Sequence, residues 1–367
     1  MRAAHSQGNN PWWEQPCRIP APDHAQAARS RQTELTKPPG SLGALEDLAV
    51  TLAGLQHTDH PRAQQVPVLV FAADHGVTAQ GISAFPAEVT VQMLANFASG
   101  GAAIAVLARE LDLPLHVWDV GTCSPEPVPG VTTARTRLGT DDFSLTAAMS
   151  GADLDHALSV GAGAVRDLAG DGASRGADLI ILGDMGIGNT TAASALTCAL
   201  TALPPELLTG RGTGLDEPGV RRKQAVIEAA LDRHRDAIDA AATPAHEALR
   251  RVGGLELAAL AGAMIAAAQH GIPVLVDGFV VSAAALAAVR LNPGVRDWLV
   301  FTHCSAERGH RALLEVLEAR PLLDLGMRLG EASGAAVALP LVRLACALHS
   351  GMATFAEAAV ATAGDGP

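Results

Sequence analysis

The chain has 367 residues, 49% of them hydrophobic, enough for a large buried core in one α/β domain or a main domain with a smaller companion. A formal net charge of −12 argues against nucleic acid or an anionic membrane surface as the main partner, since either needs a broad basic patch, but not against a small anionic ligand. Cys17, Cys123, Cys198, Cys304 and Cys346 form no CxxC pair and are odd in number, which fits reduced, mostly buried thiols rather than a zinc site or a disulfide framework.

Residues 1–34 read as a polar, proline-containing arm with some helix, and Met1–Trp13 lacks the apolar stretch of a secretory signal. No continuous apolar run reaches the roughly 20 residues of a membrane span, so a cytoplasmic protein is expected. Beyond the arm, short β-branched runs recur: Val66–Ala72, Leu115–Val120, Leu179–Leu182, Pro273–Val276 and Trp298–Thr302. Helical candidates lie among them: Glu88–Arg109, Asp153–Leu168, Thr190–Ala202, Val220–Ala242, Leu255–His270, Ala306–Leu317 and Ala335–Leu348. Alternation of short apolar strands with longer helices predicts a parallel, Rossmann-like α/β sheet covered on both faces. Its strand order is not legible.

Punctuation supports the helices. Asn189, Thr190 or Thr191 suits an N-cap, Gly271 suits a C′ position, and Pro340 predicts a kink or a helix start. Residues 35–65 and 335–367 are expected to form a smaller helical domain, and 66–334 the α/β domain that carries the site.

Polar and glycine residues gather after the strands: Asp74-His75-Gly76, Gly121-Thr122, Gly183–Asn189, Asp277-Gly278-Phe279 and His303-Cys304-Ser305. Any single cluster is explained as turn chemistry. Several at the carboxyl ends of parallel strands predict one composite site, because ligands bind there. The glycines of Gly183-Asp-Met-Gly-Ile-Gly-Asn-Thr-Thr191, Gly186 and Gly188 among them, precede a helix start and suit an anion cradle. The segment is neither a Walker loop nor a dinucleotide fingerprint.

Lys37 and Lys223 are the only lysines among 26 basic residues; either a compact ammonium is needed at those positions or they survive a compositional drift to arginine. Arg221-Arg222-Lys223 falls at a predicted helix start, where cations oppose the macrodipole. A bound phosphate or a solvated basic face accounts for it. Glu331, among small and apolar neighbours in Leu329-Gly-Glu-Ala-Ser-Gly334, reads either as a partly buried carboxylate fit for proton transfer or as a helix N-terminal Glu favoured by the dipole. The histidines show no metal-ligand spacing, and His75 and His303 suit structural roles at the sheet edge.

Ordered motifs give these parts a common context: Lys37-Pro-Pro-Gly-Ser-Leu-Gly43, Ala73-Asp-His-Gly-Val77, Ser83-Ala-Phe-Pro86, Gly183–Thr191, Gly212-Thr-Gly-Leu-Asp216, Asp277-Gly-Phe279, Thr302-His303 and Leu329–Gly334. From about Leu35 to Val360 the chain resembles the nicotinate-nucleotide–dimethylbenzimidazole phosphoribosyltransferase family, enzymes of cobalamin lower-ligand activation. The resemblance implies a homodimer that acts on small molecules, nicotinate mononucleotide and a benzimidazole base, with no metal or cofactor. It implies transfer of 5-phosphoribose to give nicotinate and α-ribazole 5′-phosphate by an inverting single displacement. Glu331 matches the catalytic base. Gly188, Asn189, Thr190 and Lys223 match the nucleotide-phosphate region, with Ser305 and Arg328 nearby, and Ser83, Gln92 and Leu329 fall where the base is held. Asp184 stands where the family commonly has Glu, one methylene longer, and is a second catalytic candidate. The same chemistry on another acceptor (adenine, another benzimidazole or a phenol) and a non-catalytic nucleotide-binding protein are the alternatives.

Overall fold

A computed structural model describes residues 11–170, 176–201 and 203–361. Residues 1–10 of the expected arm, 362–367 of the expected helical domain and Ala202 at one predicted helix end lie outside them.

The sheet has six strands: β1 (Val68–Ala73), β2 (Leu115–Gly121), β3 (Thr132–Thr133), β4 (Ile180–Met185), β5 (Val274–Val276) and β6 (Leu299–Phe301). All pair in parallel in the order β3-β2-β1-β4-β5-β6, with Val68 opposite both Leu115 and Ile181. The order reverses between β1 and β4, the switch point where loops diverge to leave a crevice.

Along the chain, α1 (Pro22–Glu34) and α2 (Ala44–Leu55) precede β1, and α3 (Glu88–Ala98) and α4 (Ala103–Glu110) lead to β2. Helix α5 (Gly151–Arg166) enters β4. Between β4 and β5 come α6 (Asn189–Thr201), α7 (Pro205–Leu208), α8 (Glu217–Asp239), α9 (Pro244–Val252) and α10 (Leu255–His270). Helix α11 (Phe279–Leu291) joins β5 to β6, and α12 (His310–Val316) and α13 (Ser333–Gly351) complete the chain.

Strand β1 is buried on both faces, which is why it reads as an unbroken apolar run. Its alternate residues belong to different cores. Val68, Val70 and Ala72 pack with α2, α3, α4 and α13, whereas Leu69, Phe71 and Ala73 pack with α5, α6, α10 and α11. The alanine-rich composition serves the second core: every residue from Leu255 to Ala268 in α10 is buried. Helices α5 and α10 approach so closely that a Cβ on Gly161 would lie 1.8 Å from the Ala259 carbonyl oxygen, and one on Gly262 2.0 Å from that of Leu158.

Three sequence expectations change. Glu88–Arg109 is two helices, broken where Gly100 adopts φ +83°. Of the two readings of Pro340, a helix start does not hold, since the residue lies inside α13, which begins seven residues earlier and continues beyond it. The expected strands and helices omit β3, α7, α9 and α11; α11 is almost wholly apolar and buried from Phe279 to Ala288, so it lacks the amphipathic period that marks a surface helix. Glu88–Glu110 and Ser333–Gly351 are long and apolar enough on average to cross a membrane, although neither is a continuous apolar run. Ser333–Gly351 instead packs against α2, α4 and β4 as a core helix does.

Lys37 has a structural explanation. Its ammonium lies 2.8 Å from Glu46 and donates to the Gln32 carbonyl, tying the end of α1 to the first turn of α2. Gln32 and Arg31 in turn reach the C-terminal end of α13.

Candidate active site

The cradle forms where β4 runs into α6. Gly186 and Gly188 are required by close approach: a Cβ on Gly186 would sit 2.4 Å from the Ala73 carbonyl oxygen, and Gly188 combines φ +97° with a 2.9 Å approach to Thr78. The turn is thereby pressed against the residues that follow β1. Asn189 begins α6, but its side-chain amide donates to Asp184 Oδ2 at 2.7 Å. That cross-link joins the helix start to the last turn of the strand.

Behind the cradle, Lys223 Nζ donates to Thr190 Oγ1 at 2.7 Å. Gly212, at φ +50°, leaves room for this pair, since its Cβ would lie 2.9 Å from Thr190 Oγ1 and 3.4 Å from Nζ. Helix α8 starts at Glu217, where Asp216 accepts from the Gly219 N–H. Arg221-Arg222-Lys223 is therefore in the helix body, and macrodipole opposition does not apply to it as strongly as the sequence suggested. Arg221 and Arg222 are exposed; only Lys223 turns inward. Its burial is the more informative signal. Loss of water lowers its pKa to about 8, with the Glu307 charge acting the other way.

A cleft of about 630 Å³ opens at the carboxyl ends of β4, β5 and β6. Asp184, Gly186, Asn189, Thr190, Ser305, Arg328, Leu329 and Glu331 all line it. Gly188 and Lys223 support it from behind. Ser83 and Gln92 are not in its lining: Ser83 lies 3.2 Å from Thr213 Oγ1, at the edge, and Gln92 is exposed on α3. Phe85, Val89 and Met93 provide the apolar wall instead. Val89 and Met93 are four apart on one helix face, which turns Gln92 away. In the sequence such a pair is indistinguishable from core. Phe279 and Val280, also in the wall, open the enclosed helix α11.

Glu331 sits in an unusual turn. Gly330, Glu331 and Ala332 have φ of +83°, +59° and +63°. Left-handed backbone costs a non-glycine residue on the order of 1–2 kcal/mol, so surrounding contacts must hold it. One is Gly183 in β4, where a Cβ would lie 2.5 Å from the Ala332 nitrogen. Glu331 thus precedes α13 rather than lying in its first turn, and it is buried.

Burial, then the nearby Asp277, pushes the Glu331 carboxyl up to about 7. Burial also raises Asp184 well above the carboxylate range, reinforced by Asp277, Glu256 and Glu331, with the Asn189 hydrogen bond opposing. The two histidines take separate partners. His75 Nε2 is 2.8 Å from Glu256 in a fully buried pair, and His303 Nε2 is 3.7 Å from Asp277.

A phosphoribosyltransferase family model matches residues 17–360. The chain is 58% identical over 349 residues to the nicotinate-nucleotide–dimethylbenzimidazole phosphoribosyltransferase of a Bradyrhizobium species (strain BTAi1), spanning 95% of this chain and 97% of the relative. It is 55% identical over 350 residues to that of Pseudomonas aeruginosa, with the same coverage. The chain belongs to this phosphoribosyltransferase family. A crystal structure of the Thermus thermophilus member superposes with a TM-score of 0.85 at 44% identity, covering 93% of this chain and 99% of that one. The family is thus established over nearly the whole chain, including every loop that builds the cleft.

Lys223 links phosphate recognition to stability. A lysine with a lowered folded pKa destabilises the fold fully below that value, and the penalty disappears above the unfolded value. Lys223→Met should therefore raise the melting temperature near neutral pH without added anion. It should also abolish the stabilisation that inorganic phosphate gives the wild type. Thermal denaturation with and without phosphate measures both, and an undiminished phosphate shift in the variant would remove Lys223 from the anion site.

Proposed function

We propose that this chain transfers 5-phosphoribose from nicotinate mononucleotide to 5,6-dimethylbenzimidazole, releasing nicotinate and forming α-ribazole 5′-phosphate. The observation that carries this reading is Glu331: a buried carboxyl group that titrates at about 7, in a cleft that offers both anion-binding groups and an apolar wall.

The parts divide by chemistry. Thr190, Ser305 and Arg328, with Lys223 behind Thr190, suit a phosphate, and the cradle N–H groups at the start of α6 favour negative charge. Phe85, Val89 and Met93 suit a flat apolar base and limit the water that would otherwise intercept the ribosyl centre. Nicotinate joined through its ring nitrogen is cationic. When its bond to C1′ breaks, the electron pair returns to the ring nitrogen and neutralises it. The unprotonated nitrogen of the benzimidazole attacks C1′ and the ring becomes cationic; Glu331 accepts the proton from its other nitrogen. A carboxylate that titrates near neutrality is a stronger base than an exposed one and is still largely ionised at slightly alkaline pH.

Burial, then its acidic neighbours, raise the proton affinity of Asp184 well above its ordinary value, while one of its oxygens accepts from the Asn189 amide. Its shorter side chain, anchored by Asn189, supports the role of holder rather than base.

The reading includes a cytoplasmic homodimer. Phe85 and Leu329, both apolar and more than half exposed beside the cleft, supply surface for a second copy to cover, and sedimentation at twice the chain mass would support it, whereas a stable monomer would oppose it. For the activity itself, the protein incubated with nicotinate mononucleotide and a panel of bases should give a ribotide of dimethylbenzimidazole by mass. Glu331→Gln should lower turnover by about 10²–10⁴-fold while leaving nucleotide binding largely intact. Turnover near the wild-type value would displace Glu331 as the base.

A further inference from the structure

Helix α13 begins without a cap of its own. The residue at its N-cap is Ala332, which has no side-chain acceptor and is left-handed at φ +63°. The missing acceptor comes from another loop. Asp277, after β5, is fully buried, and its Oδ1 accepts from the Ala335 N–H at 2.8 Å. Its other oxygen, Oδ2, is buried without a hydrogen-bond partner among the described residues. His303, after β6, stands 3.7 Å from Oδ1. Gly334 is pressed against the His303 ring, with room for no side chain: a Cβ there would lie 2.1 Å from ring carbon.

The Gly330-Glu331-Ala332 turn is therefore clamped at two points. Gly183 admits its backbone against β4, and Asp277 fixes the helix that follows. Burial raises the proton affinity of Asp277, and the nearby imidazole and main-chain groups oppose that rise without reversing it. Of the carboxyl groups gathered here, Asp277 is the one that accepts a main-chain N–H among the described residues, and it does not line the cleft.

We propose that Asp277 is a positioning residue: it caps α13 from the adjacent strand loop, holds Glu331 in its left-handed turn, and places its carboxylate beside that base. The proposal rests on the reading of Glu331 as the base. The ionisable groups around that base are Asp184 on β4, Asp277 after β5, Glu307 and Arg328 in the cleft lining, Glu256 at the start of α10, and His303 behind Asp277. Asp277 is the charged neighbour that acts on Glu331 most strongly. Its removal lowers the proton affinity of Glu331, so the acid limb of the rate profile moves to lower pH.

The test is kcat/KM against pH for the wild type, Asp277→Asn and Asp277→Ala, with melting temperatures for each. Asparagine keeps an oxygen for the Ala335 N–H and drops the charge. Its acid limb should move down by about one pH unit, with a smaller plateau rate from the weaker base. Alanine removes cap and charge together; it should melt lower and lose more than about ten-fold in kcat/KM. If asparagine proves too unstable to assay, Asp277→Ser retains a capping oxygen and carries the same expected shift. A charge-removing variant whose acid limb coincides with that of the wild type overturns the proposal, and equal rate losses in all variants at an unmoved limb would reduce Asp277 to a structural cap. A wild type that forms no ribotide would instead refute the proposed reaction.

Discussion

The structure depends on carboxyl groups being buried together at one cleft, Asp184 and Glu331 in its lining and Asp277 behind them. Asp184, Asp277 and Glu331 come from three separate segments, and their charges raise the proton affinities of Asp184 and Glu331 in a water-poor site. Left unsupported, such a group of like charges would disperse or protonate throughout. Here the supports differ: one main-chain N–H for Asp277, a side-chain amide for Asp184, and comparatively little for Glu331. That inequality separates their roles. In the proposed reading Asp277, which caps a helix, positions; Asp184, held by an amide, is a holder; and Glu331, raised to about 7, titrates where a base is useful.

Glycines make this gathering possible by removing side chains where segments must meet. Gly183 gives β4 a gap for the Glu331 turn, and Gly186 lets the cradle lie against β1. Arrangement of the sheet does the rest. Placing β4 between β1 and β5 brings the loops after β1, β4, β5 and β6 to one edge although they are dispersed along the chain. Function is thereby tied to packing: an alanine at Gly183 would meet the backbone of Ala332, not the ligand.

Much of this was legible in the residues. Short β-branched runs marked the longer strands because both faces of a parallel sheet are buried, and Leu255–His270 was delimited by its terminal glycine. Strand order was not, since pairing is set by contacts between distant segments and leaves no local pattern. Helix α11 escaped for a similar reason, its enclosure having erased its amphipathic stripe. In the site, the clustering of polar residues after strands and the family resemblance located most of the lining. Phe85 fell within the Ser83–Pro86 motif, but Val89 and Met93 were hidden because an apolar pocket wall and a core look alike in sequence, and Gln92 lies one helical position off their face. Asp277 was visible as a polar residue after a strand. Its capping of a helix more than fifty residues later was not, because only the fold brings them together.

In the proposed reaction Glu331 works as a base on an incoming nitrogen, and no carboxylate acts as a nucleophile on C1′. That distinction leaves a stereochemical mark. Nicotinate mononucleotide is a β-riboside, and one displacement from the opposite face must invert it. Through-space proton contacts across the ribose ring, measured by NMR on the isolated ribotide, assign its anomer directly. Direct displacement requires the α configuration. A β product would require two inversions through a ribose bound to the protein, and would make Glu331 or Asp184 the nucleophile instead.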